Sequence, residues 1–179
     1  MKQQTLPPSQ KKVDKFCLSK SLWIDVQGAE EGNKNHFVRA QAEKVLELLK
    51  TAFEKDDVPN LYIISPFTTV VRGITNYLKN YSGTDINTDK LKAWVEKKNI
   101  GTVHTFQGKE ANEVVFLLGC DNSAGASGAI KWVNSNIVNV AATRAKYRLY
   151  VIGERAAWEK SKVVSQMMHI LDEFSAEKN

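Results

Sequence analysis

Long apolar runs are missing from this chain. The stretch 114–118 is among its longest, and a bilayer-spanning helix takes about twenty apolar residues. A membrane partner is therefore not expected. Residues 1–20 are rich in lysine and glutamine and hold no apolar core of a signal peptide. Cysteine is scarce as well. Cys17 and Cys120 are the two in the chain, neither with a second Cys or a His at metal-ligand spacing. Reduced thiols of a cytoplasmic protein are the expectation, with no metal site. His36, His104 and His169 are scattered, so no Ser-His-Asp or Cys-His set follows from spacing. Two phosphate loops are also absent. The one Gly-Lys pair, Gly108-Lys109, is followed by Glu110 and has Val103 where G-x-x-x-x-G-K-[ST] needs glycine. No G-x-G-x-x-G follows the first apolar run, which argues against a dinucleotide fold. Asp121 ends an apolar stretch in the manner of a magnesium-binding acid, but Asn122 follows it, so an ordinary loop aspartate is expected.

What is present is an ordinary globular composition, 42% hydrophobic and 25% charged, in 179 residues. That length suits one domain with a full core. The net charge of +5 is unevenly placed: residues 1–20 carry five lysines against one aspartate, leaving twenty basic and nineteen acidic side chains elsewhere. The body is close to neutral, so global charge does not establish nucleic-acid binding. Pro7-Pro8 and the polar residues around them predict a flexible tail or interdomain linker over 1–20, ahead of one domain over 21–179.

The apolar pattern predicts strands at 22–26, 61–65, 100–105, 114–119 and 149–153. Val38, Ala42, Val45, Leu46, Leu49 and Phe53 make one stripe of a helix over 37–53. Further helices are expected after a Thr68 or Thr69 cap, at 89–98 with Trp94, at 136–146 and at 160–174, with a mobile loop at 121–128. Strands that are continuous apolar runs and alternate with helices indicate an α/β fold with a mostly parallel sheet covered on both faces.

Two phrases carry candidate chemistry. Thr105, Gln107, Gly108, Lys109 and Glu110 follow the third predicted strand, and Arg144 and Lys146 precede the last. Loops of this kind face ligands at the carboxyl ends of strands in open α/β sheets. The arginine fork suits phosphate oxygens, glycine admits close approach, and Glu110 suits sugar hydroxyls. Structural roles fit the same residues: Arg144 as a helix cap or partner of Glu154, Glu110 as a solvated acid. Trp23, Trp94 and Trp158 read as core. Lys131-Trp132 is the exception, a cation beside an aromatic that suits single strands.

Taken together, Ile64-Ser65-Pro66-Phe67, Val103-His104-Thr105-Phe106-Gln107-Gly108-Lys109-Glu110 and Asn139-Val140-Ala141-Ala142-Thr143-Arg144-Ala145-Lys146 resemble motifs IV, V and VI of superfamily 1 helicases. The branch they look like is that of the nonsense-mediated-decay RNA helicase and its bacterial relatives. The resemblance spans residues 22–158. It implies a second RecA-like domain, a P-loop NTPase-type three-layer sandwich lacking its own P-loop, joined to an N-terminal RecA-like domain. ATP would lie between the two, with magnesium held mainly by the first. Arg144 would be the catalytic arginine finger. Gln107, Gly108, Lys109 and Glu110 would line the nucleotide cleft, Glu110 at the ribose, and Arg72 is the candidate for the motif IV arginine. Pro66, Phe67, Thr105, Lys131 and Trp132 would face single-stranded DNA or RNA. Departures from the family pattern are His104 for a common Asp, Val71 at one register of the motif IV arginine, and Gln41 for a usual Glu. The alternative is a non-catalytic nucleic-acid-binding or protein-interaction module on the same scaffold.

Overall fold

A computed structural model describes residues 15–32 and 34–176. Five strands form one sheet: β1 (Leu22–Asp25), β2 (Leu61–Ile64), β3 (Ile100–Gly101), β4 (Ala111–Gly119) and β5 (Ala145–Gly153). Their order is β1-β5-β4-β2-β3 and every pairing is parallel. Parallel pairing forces crossovers, and the helices supply them. These are α1 (Arg39–Lys55), α2 (Thr68–Lys79), α3 (Thr88–Glu96), α4 (Ser127–Trp132), α5 (Ser135–Thr143), α6 (Arg155–Trp158) and α7 (Lys162–Ala176). Right-handed connections run toward β3 in the first half of the chain and back toward β1 in the second. Thus α1 to α3 cover one face, and α5 and α7 the other. The result is the three-layer α/β sandwich of RecA-like proteins.

Burial follows the sequence pattern. On α1, Ala42, Val45, Leu46 and Leu49 are buried as a stripe against the sheet. The central strands are buried on both faces, as the continuous runs at 114–118 and 150–152 require. Each buried aliphatic side chain there contributes about 1.5–3 kcal/mol of transfer free energy. Trp94 and Trp158 are fully buried and donate Nε1–H to the carbonyls of Pro59 and Gly119, both at 3.1 Å. Among the described residues no helix is long and apolar enough to cross a membrane.

Several expectations change. Residues 1–14 lie outside the described residues, but 15–20 are not a free tail. Phe16 and Cys17 are buried, and the Cys17 N–H donates to Glu113 Oε2 at 2.8 Å. The third strand is Ile100–Gly101 rather than 100–105, because the chain turns back through Thr105 N–H to Thr102 O. Strand β4 starts earlier, at Ala111, and β5 at Ala145, so the helix before β5 ends at Thr143. Neither Thr68 nor Thr69 caps α2. Phe67 holds that position with no side-chain bond. The expected mobile loop at 121–128 is a 3-10 turn (Ala124–Ala126) leading into α4.

Candidate functional site

Residues 102–110 cross from the carboxyl end of β3 to the amino end of β4. The loop is anchored by Phe106, whose buried ring stacks on Tyr62 at 4.3 Å between centroids. A second turn follows, from Lys109 N–H to Phe106 O at 2.9 Å. Around this anchor His104, Thr105, Gln107, Gly108, Lys109 and Glu110 are all exposed. Gly108 has φ 77°, and a Cβ there would meet open space. Its conformation, rather than crowding, selects glycine.

Arg144 closes α5 and fastens the two phrases together. Its Nη1 donates to Phe106 O and its Nη2 to Thr143 Oγ1, both at 3.2 Å. The Arg144 carbonyl accepts from Ala111 N–H at 2.9 Å, continuing the β4–β5 ladder. Nε of Arg144 is buried and has no hydrogen-bond partner among the described residues. A buried donor without a partner costs about 1–3 kcal/mol. No ion pair with Glu154 forms; that residue follows β5 at its opposite end. Glu110 lines a recess of about 330 Å³ with Asn60, Tyr62, Lys97 and Asn99. Gln107 to Glu110 and Arg144 therefore gather at the amino ends of β4 and β5. The expected carboxyl-end placement is corrected: the loop travels back along the sheet before β4 begins.

At the carboxyl ends a different set assembles. Pro66, Phe67, Trp132, Lys34 and His36 line a shallow groove of about 360 Å³. Phe67 sits 4.9 Å from His36, 5.9 Å from Trp132 and 6.5 Å from Trp158, centroid to centroid. Trp132 is 58% exposed at the end of α4, with exposed Lys131 beside it. The uncapped first turn of α2 opens on the same groove through Thr68 and Thr69. Thr105 lies at this end too, against Gly101, but does not line the groove. Arg72 joins neither set. It lines a separate groove of about 530 Å³ with Arg39, Asn76 and Tyr77 on the α1–α2 face.

Behind the aromatic groove the backbone is tightly tied. Gly119 N–H donates to Gln41 Oε1 at 3.0 Å, and Gln41 Nε2 donates to Val26 O at 3.4 Å. A glutamate at position 41 could not make the second bond. Cys120 N–H reaches His36 O at 2.7 Å, and both residues have positive φ. Glu30 Oε1 accepts from His36 N–H at 3.1 Å, and Glu30 Oε2 lies 3.2 Å from His36 Nδ1. Asp121 takes backbone N–H bonds from Glu30 and Ser123 and so clasps the loop that leaves β4. Burial alone would raise its pKa; those hydrogen bonds outweigh burial and leave it lowered. Burial, then the nearby Glu30 and Asp121, push the Cys120 thiol far up. Sequence spacing missed the proximity of Glu30, His36 and Cys120, whose candidate ligand atoms lie within 4.8 Å of one another.

A family model described as an AAA domain matches residues 1–156, and this domain occurs in C-terminal regions of superfamily 1 helicases. No curated protein matches the chain.

Proposed function

Since the chain belongs to this AAA-domain family, we propose that it is the C-terminal motor half of an ATP-dependent helicase, of the branch its motifs resemble. Its amino-end edge completes a nucleotide cleft whose phosphate grip and magnesium ligands lie on a preceding RecA-like domain. The observation that carries this reading is Arg144. It is held by Phe106 O at the exposed motif V loop, while its buried Nε lacks a partner. A guanidinium fixed in this way stabilises charge on a transferred phosphoryl group without reorganising, an effect of roughly 10³–10⁵ in rate for GTPase arginine fingers. Glu110, in its recess beside the same edge, takes the ribose hydroxyls. Gln107, Gly108 and Lys109 line the loop between them, and the open space over Gly108 leaves room for a ligand. The donor set fits a nucleotide rather than a magnesium site of its own: Glu110 is the one carboxylate of that loop.

The single strand crosses the carboxyl-end groove, with bases on Trp132 and Phe67 and phosphates near Lys131 and Lys34. The half-exposed tryptophan beside a second ring supports this placement. In this reading Arg72 contacts no nucleotide, since it faces the α1–α2 groove. The test joins this chain to a first RecA-like domain. The joined protein shows strand-stimulated ATPase, the isolated chain almost none, and Arg144→Ala lowers turnover at least a hundredfold. Turnover like wild type in that variant would overturn the finger assignment.

A further inference from the structure

We propose that Glu30, His36 and Cys120 form a binding site for a zinc-type divalent cation at the carboxyl end of β4. The site is independent of the helicase reading. Three ligand types converge there from three places in the chain: the loop after β1, the turn entering α1, and the residue after β4. Their candidate donor atoms lie within 4.8 Å of one another. The His36 Nδ1 to Glu30 Oε2 separation of 3.2 Å matches one edge of a tetrahedron. Nitrogen and oxygen ligands each about 2.0–2.1 Å from zinc stand roughly 3.3–3.4 Å apart. No two of the three donor atoms are farther apart than 4.8 Å, against about 3.6 Å between a sulfur and a nitrogen or oxygen ligand on tetrahedral zinc with a zinc–sulfur distance of about 2.3 Å.

Charge and surroundings favour the same ion. The Cys120 side chain is fully buried, Glu30 is 9% exposed and His36 17%. A divalent cation with one thiolate and one carboxylate makes a neutral buried unit. As the metal–sulfur bond forms, the thiol proton passes to solvent, and no electron transfer is involved. The mixed sulfur, nitrogen and oxygen set suits zinc and disfavours magnesium and calcium, which take oxygen ligands. Outer-sphere support is in place: Glu30 Oε1 is held by the His36 N–H, Oε2 receives the Asp121 N–H at 3.3 Å, and the Cys120 N–H is bonded to His36 O. Such partners orient first-sphere ligands and tune the metal. His36 also lines the aromatic groove, so a fourth, water-filled position has a path to solvent.

The test is a cobalt(II) titration of the whole chain after stripping with a chelator. One equivalent is expected to give a thiolate-to-cobalt charge-transfer band with tetrahedral ligand-field absorption, which zinc then abolishes by displacement. Cys120→Ser removes the band. His36→Asn, chosen because asparagine tolerates the left-handed backbone, weakens binding at least tenfold. Cys17→Ser, which alters the other thiol, leaves the band unchanged. Zinc raises the melting temperature of wild type by more than that of His36→Asn. The wild-type spectrum decides even if Cys120→Ser fails to fold. No charge-transfer band, or a band lost in Cys17→Ser and kept in Cys120→Ser, overturns the site.

Discussion

The two ends of the parallel sheet are built on opposite plans. At the amino ends of β4 and β5, a loop is pinned by Phe106 and otherwise lies open, with exposed polar side chains and one arginine bonded to the loop carbonyl of Phe106. At the carboxyl ends, rings pack from His36 through Phe67 to Trp132, over a backbone in which successive N–H groups are tied by Gln41 and His36. Two glycines epitomise the difference. Gly108 and Gly119 both have positive φ, but a Cβ on Gly108 meets nothing and one on Gly119 runs into the His36 carbonyl oxygen. The first end leaves its polar side chains exposed around one buried ring. The second presents aromatic faces over a hydrogen-bonded backbone.

This contrast predicts a graded series. The largest effect is expected from Gly119→Ala, since a backbone clash adds to left-handed strain. It should destabilise the fold by about 3 kcal/mol or more, read as a lower urea midpoint. Tyr150→Phe comes next. The Tyr150 hydroxyl donates to buried Glu113 Oε2 at 2.6 Å, beside the Cys17 N–H on the same oxygen. Its loss should cost about 1–3 kcal/mol in urea unfolding. It should also loosen the segment at Phe16–Cys17, seen as faster amide exchange there. Trp132→Ala should weaken single-strand affinity about tenfold, within the 1–3 kcal/mol that base stacking on one aromatic contributes, with little change in stability. The smallest effect is expected from Gly108→Ala, about 1 kcal/mol of left-handed strain in an open loop, checked by thermal melting. Equal losses in the two glycine variants would break the comparison.

Much of the fold was legible because burial imposes a period. The α1 stripe and the five strands appear in the sequence within a few residues of their observed bounds, since each had a continuous or periodic apolar face to hide. Helix α4 was not legible: Ser127-Gly128-Ala129 lacks a stripe, and Ile130 alone supplies its buried anchor. Nor was the true end of β3. Val103, inside the expected strand, and Phe106, just past it, are both buried, but in a loop folded over the sheet. The Phe16–Cys17 clasp depends on Glu113, ninety-six positions away from Cys17. The candidate site was half legible. The two phrases stand out in the sequence, as does Lys131 beside Trp132. The meeting of Phe106 with Arg144 is tertiary, as is that of Glu30 and His36 with Cys120. Which end of the sheet each phrase occupies depends on the path of residues 102–110, which no local pattern encodes.

The division of labour between the two ends is tested most directly in the joined two-domain protein. Strand affinity and saturating ATP turnover are measured side by side for Arg144→Ala and Trp132→Ala. A crossed pattern is predicted: Arg144→Ala loses at least a hundredfold in turnover and keeps strand affinity, while Trp132→Ala loses strand affinity and keeps turnover once strand is saturating. Both variants failing in the same quantity, by similar factors, would contradict it.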